Sequence, residues 1–392
     1  MSEQRRERLL EALEAQSVDV YIATHTADIR WLTGFAGVFD EEQAHVALIL
    51  RDGVGACGDS GNGAHAGGCL FTDMRYSAAL RELDVRGDWR ILDERRPRWP
   101  YLAETLVELL KAAGNGSKKA KPLVIGIDND LRLDWYRALE KALHEQELFN
   151  CQLTEMEDLL VGLRAIKTAD EVALLKAAQA ITDAAFTHIQ GFLKPGLTEK
   201  EVATELEFFM RRAGATGAAF PSIVASGPFS ANPHHVPGQR VLQRGEIVLM
   251  DFGARLDDYC SDMTRTLMLG EATEQFRAMH SATLSAQEAV MEMLKPGVEG
   301  QEAQKVAEDV IAKHGFAGKL IHSLGHGVGI AIHELPLLAP KITTKLEVGQ
   351  VVTVEPGVYL EGVGGVRIED FGLITEDGFE DFTQSSRYKI VV

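Results

Sequence analysis

Five side chains of metal-ligand type stand in the second half of this chain: Asp251, Asp262, His326, Glu355 and Glu369. Four offer oxygen and one offers nitrogen. That set suits Mn²⁺, and also Co²⁺, Zn²⁺ or Fe²⁺. The absence of thiolate argues against a structural zinc site. Asp251 ends the apolar run IVLMDF, and Asp262 lies in a second run, YCSDMTRTLM, beyond a polar turn. Hairpin pairing brings such positions side by side. Two bare carboxylates at close range repel, and a cation between them removes that cost. Glycines flank His326 in SLGHGVGIAIHELP, which leaves room for backbone or substrate to approach the imidazole. Glu355 follows a strand-like run that Pro356 and Gly357 end, and Glu369 lies in the strand-like GGVRIED. Any one of these residues alone would be an ordinary turn residue or a hydrogen-bonded histidine. The set carries the argument.

An internal repeat ties the set together. Residues 242–253, LQRGEIVLMDFG, are echoed 104 residues later by LEVGQVVTVEPG at 346–357. At that offset Gly245 falls on Gly349, Val248 on Val352 and Asp251 on Glu355. LKPG at 193–196 recurs at 294–297. Thr168 and Thr198 each open a capping box, followed by helices to about residues 190 and 214. Two further helices, 274–293 and 300–314, take the same places in the second half. Two similar halves, each ending an apolar strand in a carboxylate, would face one another across a pseudo-twofold axis and could hold a pair of metal ions. A dimetal site implies hydrolysis.

The rest of the chain must position these groups. With 392 residues, two domains are expected. Predicted strands at 18–24, 44–51 and 123–128 alternate with helices at 1–16, 102–113 and 135–144, which argues an α/β layer domain over residues 1–160. Residues 161–392 read as a duplicated α+β catalytic domain. The net charge of −18 repels phosphate backbones, so nucleic-acid binding is disfavoured. Four cysteines (Cys57, Cys69, Cys151, Cys260) without CxxC spacing read as reduced thiols. The N-terminus has no apolar run of signal length, and no stretch reaches the roughly 18–20 apolar residues of a membrane span. A cytoplasmic protein that binds no membrane is expected.

The strings MDFGARLDDYCSDMTRT, SLGHGVGIAIHELP, TVEPGVY and GGVRIEDF closely resemble the pita-bread metallopeptidase family, over about residues 163–392. IRWLTGF and LFTDMRY resemble the creatinase/prolidase N-terminal domain. The resemblance implies that Asp251 and Asp262 hold one metal, that His326 and Glu355 complete the other, and that Asp262 and Glu369 bridge both. It marks His234, His322 and His333 as pocket residues, with His234 and His333 steadying the reacting groups. Glu355 becomes the proton acceptor, and Arg367 a partner that orients Asp262 or Glu369. The implied activity is cleavage of the Xaa-Pro bond in a small peptide with proline second, above all in dipeptides as in prolidase. The alternative is an aminopeptidase P acting on longer peptides. A reading of another class is a catalytically inactive binding module. A homodimer is expected. Where some prolidases carry Arg after HExP, Leu337 follows HELP here; Lys341, Lys345, Arg367 or a partner's N-terminal domain would then have to bind a dipeptide's carboxylate.

Overall fold

The computed structural model describes residues 3–392 except 41, 43, 52, 53, 55, 56, 60–62, 66, 67, 85–87, 94 and 113–120. The chain divides into two compact units, Met1–Leu163 and Arg164–Val392.

The first unit is built on a six-stranded mixed sheet. Its strands run in the order Trp89–Leu92, Gly68–Phe71, Val46–Leu50, Val20–Ala23, Leu123–Asp128 and Cys151–Met156. The three predicted strands are central. VYIA and VALIL are buried at every position, as a sheet covered on both faces requires. Helices Arg98–Ala112 and Leu133–Glu145 pack Leu102, Leu106, Leu139 and Leu143 into its core. One reading is corrected here. Cys69, in the strand Gly68–Phe71, is disulfide-bonded, whereas Cys151 and Cys260 are free thiols. The absence of CxxC spacing does not exclude an S–S bond, which depends on the Cα separation that the fold sets.

The second unit displays the duplication as hydrogen bonding. Helices Ala169–Phe192 and Glu199–Arg212 open the first half; Glu274–Met293 and Gly300–Lys313 open the second. Thr168 and Thr198 close the predicted capping boxes. Gly196 N donates to Leu242 O at 3.0 Å, and Gly297 N to Leu346 O at 2.8 Å. The two glycines turn the chain at φ 98° and 92°, in the left-handed region where a side chain is strained. Each half then lays down a central strand flanked by two antiparallel neighbours. In the first, Ile247–Phe252 lies between Ile223–Ser226 and Met263–Met268. In the second, Val351–Val354 lies between Gly325–Gly327 and Asp370–Ile374. Each half has its own apolar core, one around Phe186, Leu206 and Phe252, the other around Phe276, Ala307 and Val354.

The ligand-type residues sit differently from their expected strand positions. Asp251 is inside its strand, paired opposite Thr264. Asp262 and Glu369 each fall immediately before a strand, Met263–Met268 and Asp370–Ile374, and Glu355 immediately after Val351–Val354. Three of the carboxylates therefore occupy breaks in the ladder, where the chain is freed from strict alternation. His326 lies in the short strand Gly325–Gly327, beside a register shift.

Close packing there leaves no room at Gly325: an added Cβ would sit 2.1 Å from Thr353 O. Gly325→Ala should cost about 1–3 kcal/mol by forcing strands apart, measured by urea unfolding against Gly378→Ala, whose Cβ meets nothing within 4 Å. Equal stability of Gly325→Ala and the parent would contradict the tight strand approach.

Candidate metal centre

Strand ends from both halves converge on one buried cluster. One donor atom each from Asp262, His326 and Glu369 lie within 4.8 Å of one another. Asp262 and Glu369 are 4% and 1% exposed. His326 Nε2 stands 3.6 Å from Asp262 Oδ2 and 3.5 Å from Glu355 Oε1. Its Nδ1 faces Gly327 O at 3.1 Å, and its backbone N donates to Thr353 Oγ1 at 3.0 Å. With Nδ1–H committed to that carbonyl, Nε2 presents its lone pair to the carboxylates, as a metal-ligating imidazole does.

Asp251 joins this group through Arg367. The guanidinium donates from Nη2 to Asp251 Oδ2 at 2.6 Å, from Nη1 to Tyr359 OH at 2.9 Å and from Nε to Thr264 Oγ1 at 3.0 Å. The Thr264 hydroxyl in turn donates to Glu369 Oε2 at 2.6 Å. Arg367 thus orients Asp251 directly and reaches Glu369 only through Thr264. This corrects the expectation that it would hold Asp262 or Glu369 itself. Arg367 is 3% exposed, and each of its three nitrogens donates to a protein group, so it is buried away from a substrate carboxylate.

The electrostatics are unbalanced. Four carboxylates face a single guanidinium. Burial, with the charges of Glu369, Asp251 and Glu355, drives the Asp262 carboxyl well above its ordinary range. Burial and the charges of Glu355 and Asp251 do the same to Glu369. Burial pushes Glu355 up to about 8, against the pull of Arg367. Burial lowers His326 to about 4, which keeps it neutral. Asp251 Oδ1 is buried and accepts no hydrogen bond. Crowded acids, a neutral imidazole and an unsatisfied carboxylate oxygen are what a divalent cation would complete, so the donor set fits metal.

The histidines separate into two kinds. His234 and His333 are exposed, and the charge of each acts on Asp251. The His333 ring stands edge-on to His326, with centroids 4.5 Å apart. His322 is more enclosed. Its Nε2 meets Tyr359 OH at 2.9 Å and its Nδ1 meets Ser323 O at 2.8 Å, so it stands behind Arg367. Tyr359, Thr264 and Thr353 did not emerge from the sequence. Thr264 had a signal, since alternation puts it on the same face as Asp262. Tyr359 had none.

The comparisons with known proteins agree with this geometry. Residues 173–376 match metallopeptidase family M24, and residues 5–166 match the creatinase/prolidase N-terminal domain. The chain belongs to family M24. Its two-part architecture is that of the pita-bread metallopeptidases, whose members depend on divalent metal ions. It is 39% identical over 236 residues to the Xaa-Pro dipeptidase of Pyrococcus furiosus, covering 60% of this chain and 68% of that one. The structure of a Xaa-Pro dipeptidase from Bacillus anthracis superposes with a TM-score of 0.85 at 35% identity, over 100% of both chains. An X-Pro aminopeptidase from Thermotoga maritima gives a TM-score of 0.81 at 29% identity, over 99% of this chain and 100% of that one. Among the described residues, no helix is long and apolar enough to cross a membrane.

The raised carboxyls predict a pH-dependent response to metal. Asp262, Glu369 and Glu355 bind protons more readily folded than unfolded, so their contribution to metal-free stability falls as pH rises toward about 8. His326, depressed to about 4, contributes the opposite slope only below its ordinary 6.5. Between pH 6.5 and 8 the carboxyl effect stands alone in the cluster. The rise in Tm on adding saturating Mn²⁺ to chelated protein should therefore grow across that window. A metal-induced shift that shrinks would contradict the crowding.

Proposed function

We propose that this chain hydrolyses the bond between a first residue and proline, most readily in dipeptides. The observation that carries the reading is the buried Asp262–His326–Glu369 cluster, with Asp251 and Glu355 beside it, in a member of family M24. The dipeptidase names of the Pyrococcus and Bacillus relatives support the substrate class. Asp251, Asp262, His326, Glu355 and Glu369 would hold two divalent ions, of which Mn²⁺ suits the oxygen-rich set best. A homodimer belongs to the same reading, on the resemblance of the N-terminal domain.

When bound, such ions would lower the pKa of a water at the site and polarise the scissile carbonyl. The protein's own groups do the rest. Glu355, its proton displaced when a cation is held, would take the proton of the attacking water and pass it on to the leaving group. His234 donates to the oxygen on which negative charge develops. His333 faces the proline nitrogen, which carries no N–H before cleavage and must be protonated to leave. Arg367, through Asp251 and Thr264, holds the acidic side of the pocket in place. His322 and Tyr359 fix Arg367 from behind.

One observation favours a second reading, cleavage of longer peptides. Leu337 is 37% exposed where a cation would grip a dipeptide's carboxylate, and Arg367 is committed elsewhere.

Hydrolysis of Ala-Pro and Ala-Pro-Ala, with and without chelator, tests both. Metal-dependent cleavage of Ala-Pro alone supports the dipeptidase; cleavage of Ala-Pro-Ala supports the second reading. No cleavage and no bound metal would mean a binding module. Asp262→Asn should lose both metal and activity. Glu355→Gln should lower kcat by about 10²–10⁴ as a lost general base.

A further inference from the structure

His234 sits on an exposed loop after a short 3₁₀ turn, Gly227–Ala231, yet its role demands a fixed position. A buried carboxylate lies under that loop. Glu199, the first residue of helix Glu199–Arg212, is 0% exposed. Its Oε1 accepts from Ser226 N at 2.8 Å and Ser226 Oγ at 2.6 Å. Its Oε2 accepts from Gly238 N at 3.2 Å and meets His235 Nε2 at 2.8 Å. One carboxylate thus grips the chain on both sides of His234. Burial works against its ionisation, but these bonds outweigh it and hold the carboxyl below its ordinary value. The helix backbone adds two ties, Glu199 N to Arg240 O at 3.0 Å and Lys200 N to Gly238 O at 3.1 Å.

The duplication makes this residue conspicuous. The equivalent position in the second half, 101 residues on, is Gly300, also the first residue of its helix. There an added Cβ would lie 2.2 Å from Leu337 O, so backbone packs directly on backbone, in the segment that follows His333. In both halves the helix start supports the segment carrying an exposed histidine. In the first half a charged side chain fills the gap that the second half closes by contact.

We propose that the buried Glu199 and the part-buried His235 form a clamp that sets the position of His234, making Glu199 a positioning residue that acts through the loop. The inference rests on the proposed role of His234. His235, the neighbour of that residue in sequence, becomes the pin that ties the loop to the helix.

The test is a mutant cycle on the full-length, metal-loaded protein. Glu199→Gln, His235→Leu and His235→Gln are made alone and in a His234→Ala background, with kcat/KM, Tm and bound metal measured. Glu199→Gln and His235→Leu should each lower kcat/KM about 10–100-fold, as a displaced reacting group does, with metal content unchanged. His235→Gln, whose amide can replace the ring donor, should recover most of the loss. With His234 already removed, Glu199→Gln should cost nothing more. A Glu199→Gln loss of the same size in both backgrounds overturns the clamp. If Glu199→Gln fails to fold, the two His235 variants complete the same cycle. The His234 Cε1–H resonance, read on protein loaded with diamagnetic Zn²⁺, provides a readout independent of turnover. It should shift or broaden in the clamp variants but not in the control Glu205→Gln. A moved resonance with full activity in His234→Ala would keep the clamp and refute the role of His234; an unmoved resonance refutes the clamp.

Discussion

Mutual repulsion among four buried carboxylates is the constraint around which the catalytic unit is organised. Taking one ionised carboxylate out of water costs several kcal/mol, and each further one nearby costs more. Arg367 answers part of that charge, bonded to Asp251, Tyr359 and Thr264. The remaining acids are raised far enough to hold protons instead. A cation is the alternative to those protons. The neutral His326, turned with its lone pair inward, shows the same preference from the other side: a protonated imidazole would compete with the cation, and burial prevents it.

Duplication solves the placement problem that this crowding creates. Here the residues that repel are held on separate strands and strand ends rather than in one loop. Each half supplies one carboxylate from its central strand, Asp251 within it and Glu355 just past it, and one just ahead of a flanking strand, Asp262 and Glu369. The glycine turns at Gly196 and Gly297, and at Gly245 and Gly349, repeat the backbone path that makes these ends coincide.

Much of this was legible because it rests on local rules. The capping threonines, the helix Glu274–Met293 and the strand Ile247–Phe252 follow from short-range pattern, and the repeat exposed the pairing of Asp251 with Glu355. What could not be read depends on contacts between segments far apart in sequence. Arg367 was recognised as a supporting group but given the wrong partner, because its target was fixed by the pairing of Asp251 with Thr264. Tyr359 lies 37 residues from His322 and is joined to it only by folding.

Buried charge also explains how the site strands stay rigid. Two site residues, His333 and Glu369, each lie just ahead of a strand whose first residue is a buried acid. Glu334, after His333, is held by Lys167 at 2.8 Å and Arg164 at 3.1 Å. Asp370, after Glu369, is held by Arg265 at 2.5 Å and Arg387 at 3.1 Å. Each acid meets two cations, so neither is left uncompensated. Such groups add little net stability over an apolar core, but losing one partner costs about 3–5 kcal/mol because the other stays buried and charged. That asymmetry makes them good locks. The strand cannot slip by one residue without exchanging a satisfied acid for a stranded one, and such a slip would also turn His333 or Glu369 out of the pocket. The charges behind the site thus fix the register of the charges within it.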